Sequence, residues 1–122
     1  MGPHNIAALG DGLTVICGPN PPDDNTLRSE RLQVLHWRVD TPFTDPVAHR
    51  HTSSDEVYIV IDGILTLDIE RRDGTVGPDR SCAVPAGVVH AVIAVHPPAR
   101  GLTIRGPAIP DKRTVPLQGP EL

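Results

Sequence analysis

The chain has 122 residues, a net charge of −4 and a hydrophobic content of 39%, which fits one small globular domain (1–122) with a real core. Its basic residues are scattered without interleaved aromatics, which speaks against nucleic-acid binding. No apolar run has membrane-spanning length, no signal-peptide pattern is present, and two cysteines are too few for a disulfide framework. We therefore expect a cytoplasmic protein with no membrane partner.

Short apolar runs rich in β-branched residues dominate the chain, and 14 prolines and 11 glycines separate them. This composition is typical of many short strands and turns and not of long helices. In chain order, the pattern predicts strands over residues 13–17, 32–39, 47–51, 56–61, 64–70, 81–84, 88–95 and 102–105.

The segments between these strands carry strong turn signals. Residues 40–46 are predicted to form a loop and residues 52–55 a turn, while Asp62-Gly63 and Asp73-Gly74 each predict a two-residue hairpin. Residues 106–122 are rich in proline and glycine and are predicted to form an extended strap or a tail. Eight or so closely spaced strands without an internal repeat indicate an antiparallel sandwich or barrel of jelly-roll type.

Three histidines and one glutamate stand next to predicted turns. His49 and His51 point to the same face of one strand because side chains alternate, and the following turn brings Glu56 to the start of the next strand. His90 follows a turn of the type Pro85-x-Gly87 in the same way. Each residue taken alone is more often a solvated surface residue, but the joint arrangement predicts a divalent transition metal site.

Other side chains near these four are weaker candidates. Tyr58 shares the face of Glu56 and is either a pocket residue or a core aromatic. His36 lies beside Trp37 and either lines the pocket or faces away from it. Val88 and Val92 share the face of His90 and are predicted to line the pocket as well.

His96 is a separate case. It lies six residues beyond His90, about 20 Å along an extended strand, and should miss the metal.

The spacing of these motifs resembles that of the cupins. Their first motif, G-x5-H-x-H-x3,4-E-x6-G, and their second, G-x5-P-x-G-x2-H-x3-N, are matched here by His49, His51, Glu56, Gly63, Pro85, Gly87 and His90. Phe43, Asp79 and Ala94 depart from the pattern at turn positions and at the last asparagine. The resemblance covers residues 30–105 and implies a double-stranded β-helix barrel, often a homodimer, with the metal inside its mouth.

Three functions follow from the ligand set and the resemblance. The first is a dioxygenase acting on a small oxygen-rich molecule, since similar cupins cleave flavonols (quercetinases) or acireductones; Glu56 would act as general base, and Tyr58 would assist it. The second is a metal-assisted cyclase, decarboxylase or isomerase in polyketide or sugar metabolism, and the third is a binding module without turnover. The metal is Fe, Mn, Ni, Co, Cu or Zn, because imidazole and carboxylate ligands suit all of them.

Overall fold

Strands are the only regular elements in the computed structural model, which describes residues 5–23 and 26–115. They are β1 Gly12–Gly18, β2 Leu27–Arg28, β3 Gln33–Val39, β4 Phe43–His51, β5 Asp55–Ile69, β6 Arg72–Val76, β7 Arg80–Val84, β8 His90–Gly106 and β9 Lys112–Thr114. Within these ranges there is no helix, and hence no helix long and apolar enough to cross a bilayer. The predicted all-β class is confirmed.

Two long strands organise the sheet. The strand order is β2-β1-β3-β8-β4-β9, and β5 pairs with β8 along most of its length while β6 and β7 pair with β5. Because β8 also pairs with β3 and β4, the sheet curls around one shared core. This is the jelly-roll, double-stranded β-helix architecture that the resemblance implied.

The predicted hairpin at Asp62-Gly63 is wrong, because β5 continues through this pair. Gly63 adopts a φ of +84° and the pairing with β8 shifts register on both sides of Asp62, so the dipeptide forms a bulge. Side chains facing the core have even numbers before the bulge (Tyr58) and odd numbers after it (Leu65). The bulge thus keeps one long strand facing the core on both sides of a bend.

The hairpin between β5 and β6 lies three residues earlier than Asp73-Gly74. Ile69 pairs with Arg72, so the turn consists of Glu70 and Arg71, both at positive φ. That backbone geometry is the type I′ turn, which usually selects glycine or asparagine, and here a glutamate and an arginine occupy it. The sequence signal failed because Asp73-Gly74 lies inside β6.

Prolines also misled the prediction at two strands. β4 begins at Phe43, inside the predicted loop. Its pairing with β8 is irregular between Phe43 and His49, and this irregularity accommodates the proline of β4, which cannot donate a ladder hydrogen bond. β8 runs unbroken from His90 to Gly106, where two separate strands were predicted. The strand prediction for residues 32–39 is confirmed by β3, and that for residues 81–84 by β7.

The core lies between the curled halves of the sheet. It consists of Tyr58 and seven aliphatic side chains, and Trp37 packs against them. The aliphatic residues are Val60, Leu65, Leu67, Val76, Val84, Val95 and Ala99. The strap predicted over residues 106–122 leaves β8 and returns as β9, which pairs antiparallel with the last three residues of β4. Residues 116–122 lie outside the described residues.

Candidate metal centre

Three strands bring the four predicted ligands together. His49 and His51 end β4, His90 begins β8, and Glu56 is the second residue of β5. His49 and His90 are directly paired across β4 and β8, so their side chains rise from one place on the sheet. The three-residue connection 52–54 then returns the chain so that Glu56 reaches the same point.

The donor atoms of these four buried residues all lie within 4.8 Å of one another. Glu56 Oε1 is 2.9 Å from His90 Nε2, 3.5 Å from His51 Nε2 and 4.0 Å from His49 Nε2. Two ligands that each lie about 2.0–2.2 Å from one ion are separated by about 3–4 Å. The arrangement therefore fits one divalent transition metal.

Each imidazole is also held from outside the group. His51 Nδ1 lies 3.3 Å from Asp111 Oδ1, His90 Nδ1 lies 3.0 Å from the Val88 carbonyl oxygen, and the His49 ring hydrogen-bonds to the Val47 backbone. A neutral imidazole has one donor and one acceptor nitrogen, so a proton held on Nδ1 leaves the lone pair of Nε2 for the metal. These contacts orient His51 and His90 for metal binding through Nε2.

Asp111 is a functional residue that the sequence analysis missed. Its carboxylate accepts hydrogen bonds from the backbone N–H groups of Ser53 and Ser54, from the Ser54 hydroxyl and from Arg105, besides contacting His51. Burial pushes the pKa of Asp111 upward, but these hydrogen bonds outweigh it and lower the pKa to about 2. A single aspartate in a proline-rich segment has no local signal, and only the pairing of β9 with β4 shows its role.

The electrostatics favour a neutral imidazole at His49 and an ionised carboxylate at Glu56. Burial lowers the pKa of His49 to about 4, and the charges of His90 and Lys112 act in the same direction. Burial would raise the pKa of Glu56, but hydrogen bonding to His90 and the positive potential of the histidines outweigh it, and the pKa is lowered. These are the protonation states that a divalent cation requires of its ligands.

Tyr58 connects this group to a cavity. Its hydroxyl lies 3.0 Å from Glu56 Oε1, and its ring centroid lies 6.1 Å from that of His90. The cavity has a volume of about 340 Å³, and its walls come from Gly12, Leu13, Trp37, Val39, Phe43, Tyr58, Leu65, Val92, Val95 and Thr103. The four ligands are not part of these walls, so Tyr58 is the side chain that touches both the cavity and the ligand group.

The predicted pocket residues divide into two groups. Trp37, Tyr58 and Val92 line the cavity. Val88 packs against the hydrophobic core instead.

His36 is fully buried, but it is not among the cavity walls. It neighbours Trp37 on β3 and therefore points to the other face of the sheet, where its Nε2 accepts a hydrogen bond from Arg100. Strand alternation thus decided between the two positions that the sequence had left open. His96 is exposed and lies outside the ligand group, as predicted.

A family model described as Cupin domain matches residues 37–104, which is more than half of the chain and includes all four ligands. The protein is a cupin. No curated protein matches this cupin.

Solved structures similar to this cupin agree with the fold. A cupin protein from Bacteroides fragilis has a TM-score of 0.67 at 12% identity, covering 87% of this chain and 86% of that one. KdgF from Halomonas sp. has a TM-score of 0.62 at 15% identity, with 81% and 80% covered. Streptomyces Pac13, a nucleoside dehydratase solved with uridine, has a TM-score of 0.59 at 16% identity, with 71% and 69% covered. At these identities the likeness establishes the fold alone.

Proposed function

We propose that this cupin is a metal-dependent enzyme that acts on a small organic molecule bound in the cavity. His49, His51, Glu56 and His90 would hold the ion. The observation that carries the proposal is a buried group of four donors, oriented from outside and joined to a cavity through Tyr58. A bound transition metal with open coordination positions polarises a substrate oxygen or, if redox-active, brings dioxygen and substrate together.

The first candidate reaction is that of a dioxygenase. Glu56 would take the proton of an enolic or phenolic hydroxyl on the substrate, and Tyr58, 3.0 Å away, would orient that carboxylate by donating a hydrogen bond. Dioxygen is the oxidant and the substrate supplies the electrons, so that a carbon–carbon bond breaks and both oxygen atoms enter the product.

The second candidate is a reaction without a redox step, such as a cyclisation, decarboxylation or isomerisation. It is favoured by the direct contact between Glu56 and Tyr58, because a proton acceptor next to a proton donor suffices for proton transfer without dioxygen. A binding module without turnover is the third reading. The homodimer implied by the family resemblance is also a proposal, which light scattering on the purified protein tests.

Elemental analysis combined with oxygen uptake tests the function. We expect wild-type protein to bind one equivalent of a divalent metal and His49→Ala to bind none, while His96→Ala, which changes an exposed histidine outside the site, behaves as wild type. A screen of flavonols, diketones and aromatic polyketides then measures oxygen consumption with each metal. Turnover under anaerobic conditions with zinc would reject the dioxygenase in favour of the second reaction.

Two outcomes would reject the proposal as a whole. One is protein that stays metal-free at saturating divalent ions. The other is a His49→Ala variant that retains both metal and turnover while its thermal melt shows that it is folded.

A further inference from the structure

The walls of the cavity beside the ligand group consist almost wholly of hydrocarbon. Leu13, Val39, Leu65, Val92 and Val95 offer no polar side-chain atoms. They line a space of about 340 Å³, which lies at the small end of the range for ligand sites.

The few polar groups in the walls are engaged with protein partners. The indole N–H of Trp37 donates to the Thr103 hydroxyl at 3.1 Å, and the Tyr58 hydroxyl contacts Glu56 at 3.0 Å. Tyr58 stands at the side of the cavity that adjoins the metal ligands, so polarity is concentrated at one end. A ligand oxygen therefore finds hydrogen-bonding partners at Tyr58 and Thr103, which are paired across β5 and β8, and none among the aliphatic wall side chains.

This distribution separates classes of ligand. A ligand hydroxyl buried against a hydrocarbon wall loses its water partners without replacement, which weakens binding by about tenfold for each such hydroxyl. Sugars and nucleosides carry several hydroxyls around their rings and cannot direct all of them to one end. A carbon ring system gains from burial against the same walls.

Exposed apolar residues mark where the cavity opens. Leu13 on β1 is 64% exposed and Phe43 on β4 is 50% exposed, yet both line the cavity. Exposed apolar side chains that together line the mouth of one cavity are typical of ligand-binding grooves.

We propose that the substrate is a compact, mainly hydrocarbon molecule, the size of one bicyclic or tricyclic ring system, with an oxygen substituent directed toward the end of the cavity at Tyr58. The orientation toward the ligand group rests on the proposed function. The class of substrate rests on the cavity walls. The inference replaces the oxygen-rich substrate expected from sequence and speaks against sugars and nucleosides.

Trp37 makes the proposal measurable without turnover. It is the only tryptophan in the chain and lines the cavity, so its fluorescence reports occupancy directly. The probe is 2-decalone, a bicyclic ketone with little absorbance of its own, compared with methyl β-glucoside and uridine on metal-free and zinc-loaded protein. We expect saturable changes in Trp37 emission with 2-decalone and a Kd at least tenfold higher for either polar probe.

Two variants and one control locate the binding. Val92→Phe fills the cavity and should weaken 2-decalone binding at least tenfold, and Phe43→Ala at the rim should weaken it several-fold. Ile64→Ala changes an exposed aliphatic residue beside Leu65 that is not part of the walls, and it should bind as wild type. Thermal melts followed by circular dichroism establish that each variant is folded.

The results separate this inference from the proposed function. Uridine or the glucoside binding as tightly as 2-decalone, or 2-decalone binding unaffected by both folded cavity variants, would overturn the substrate class even if the protein binds metal and turns over. Selective 2-decalone binding without metal binding or turnover would support the proposed class of ligand and overturn the proposed metal-dependent activity.

Discussion

Asp111→Asn should destabilise the metal-free protein by about 2 kcal/mol at pH 7. The carboxylate has a pKa of about 2 in the folded protein against an ordinary value of 3.8, and each unit corresponds to about 1.4 kcal/mol of preference for the charged form. An asparagine resembles the protonated acid and forfeits that preference. In a domain of this size the loss lowers Tm by about 6–10 °C.

The pH dependence of this effect has a defined sign. Because the pKa is depressed by folding, the contribution of Asp111 is present above about pH 4 and disappears as the pH falls toward 2. The gap in free energy of unfolding between wild type and Asp111→Asn, measured by urea titration, should close over that window. Asp73→Asn, at an exposed position on β6, should show no gap at any pH.

The same variant should bind metal about 10–100-fold more weakly, since the carboxylate that orients His51 is lost. Isothermal titration with Zn²⁺ measures this change. An Asp111→Asn protein with wild-type Tm and wild-type zinc affinity would refute the reasoning that the strap residue supports the metal site.

Three further predictions concern other parts of the chain. The contribution of His49 to the stability of metal-free protein should fall by about 1.6 kcal/mol from pH 6.5 to 5, because unfolding raises the pKa of His49 from about 4. Urea titrations should therefore show a smaller loss of stability over this range in His49→Asn than in wild type, while His96→Asn should lose as much as wild type. Gly63→Ala should lower the free energy of unfolding by at least about 2 kcal/mol, because Gly63 has a φ of +84° and the new Cβ would lie 2.5 Å from Ala99 Cβ. Gly74→Ala, where a new Cβ meets open space, should change the thermal melt little. Tyr58→Phe should retain metal by elemental analysis but lower kcat at least about tenfold; unchanged turnover would exclude its assisting role.

The ligand set was predictable because its signals are local. Alternation in a strand places His49 and His51 on one face, and turns before Glu56 and His90 fix where those residues enter their strands. The local structure at Asp62-Gly63 and Asp73-Gly74 was not predictable from the dipeptides, because a bulge and a strand interior accept the same residues as a hairpin. The pairing of β5 with β8 decides the choice at Asp62-Gly63, and the register of β5 with β6 decides it at Asp73-Gly74.

Local spacing along the chain was enough to predict the all-β class, the family and the four residues that converge, since each depends on only a few neighbouring residues. The three-dimensional packing was needed to show that Asp111 supports His51, that His36 faces away from the pocket and that the cavity is apolar. These features depend on contacts between strands far apart in the chain. Their formation follows from how the whole sheet curls, which no short segment encodes.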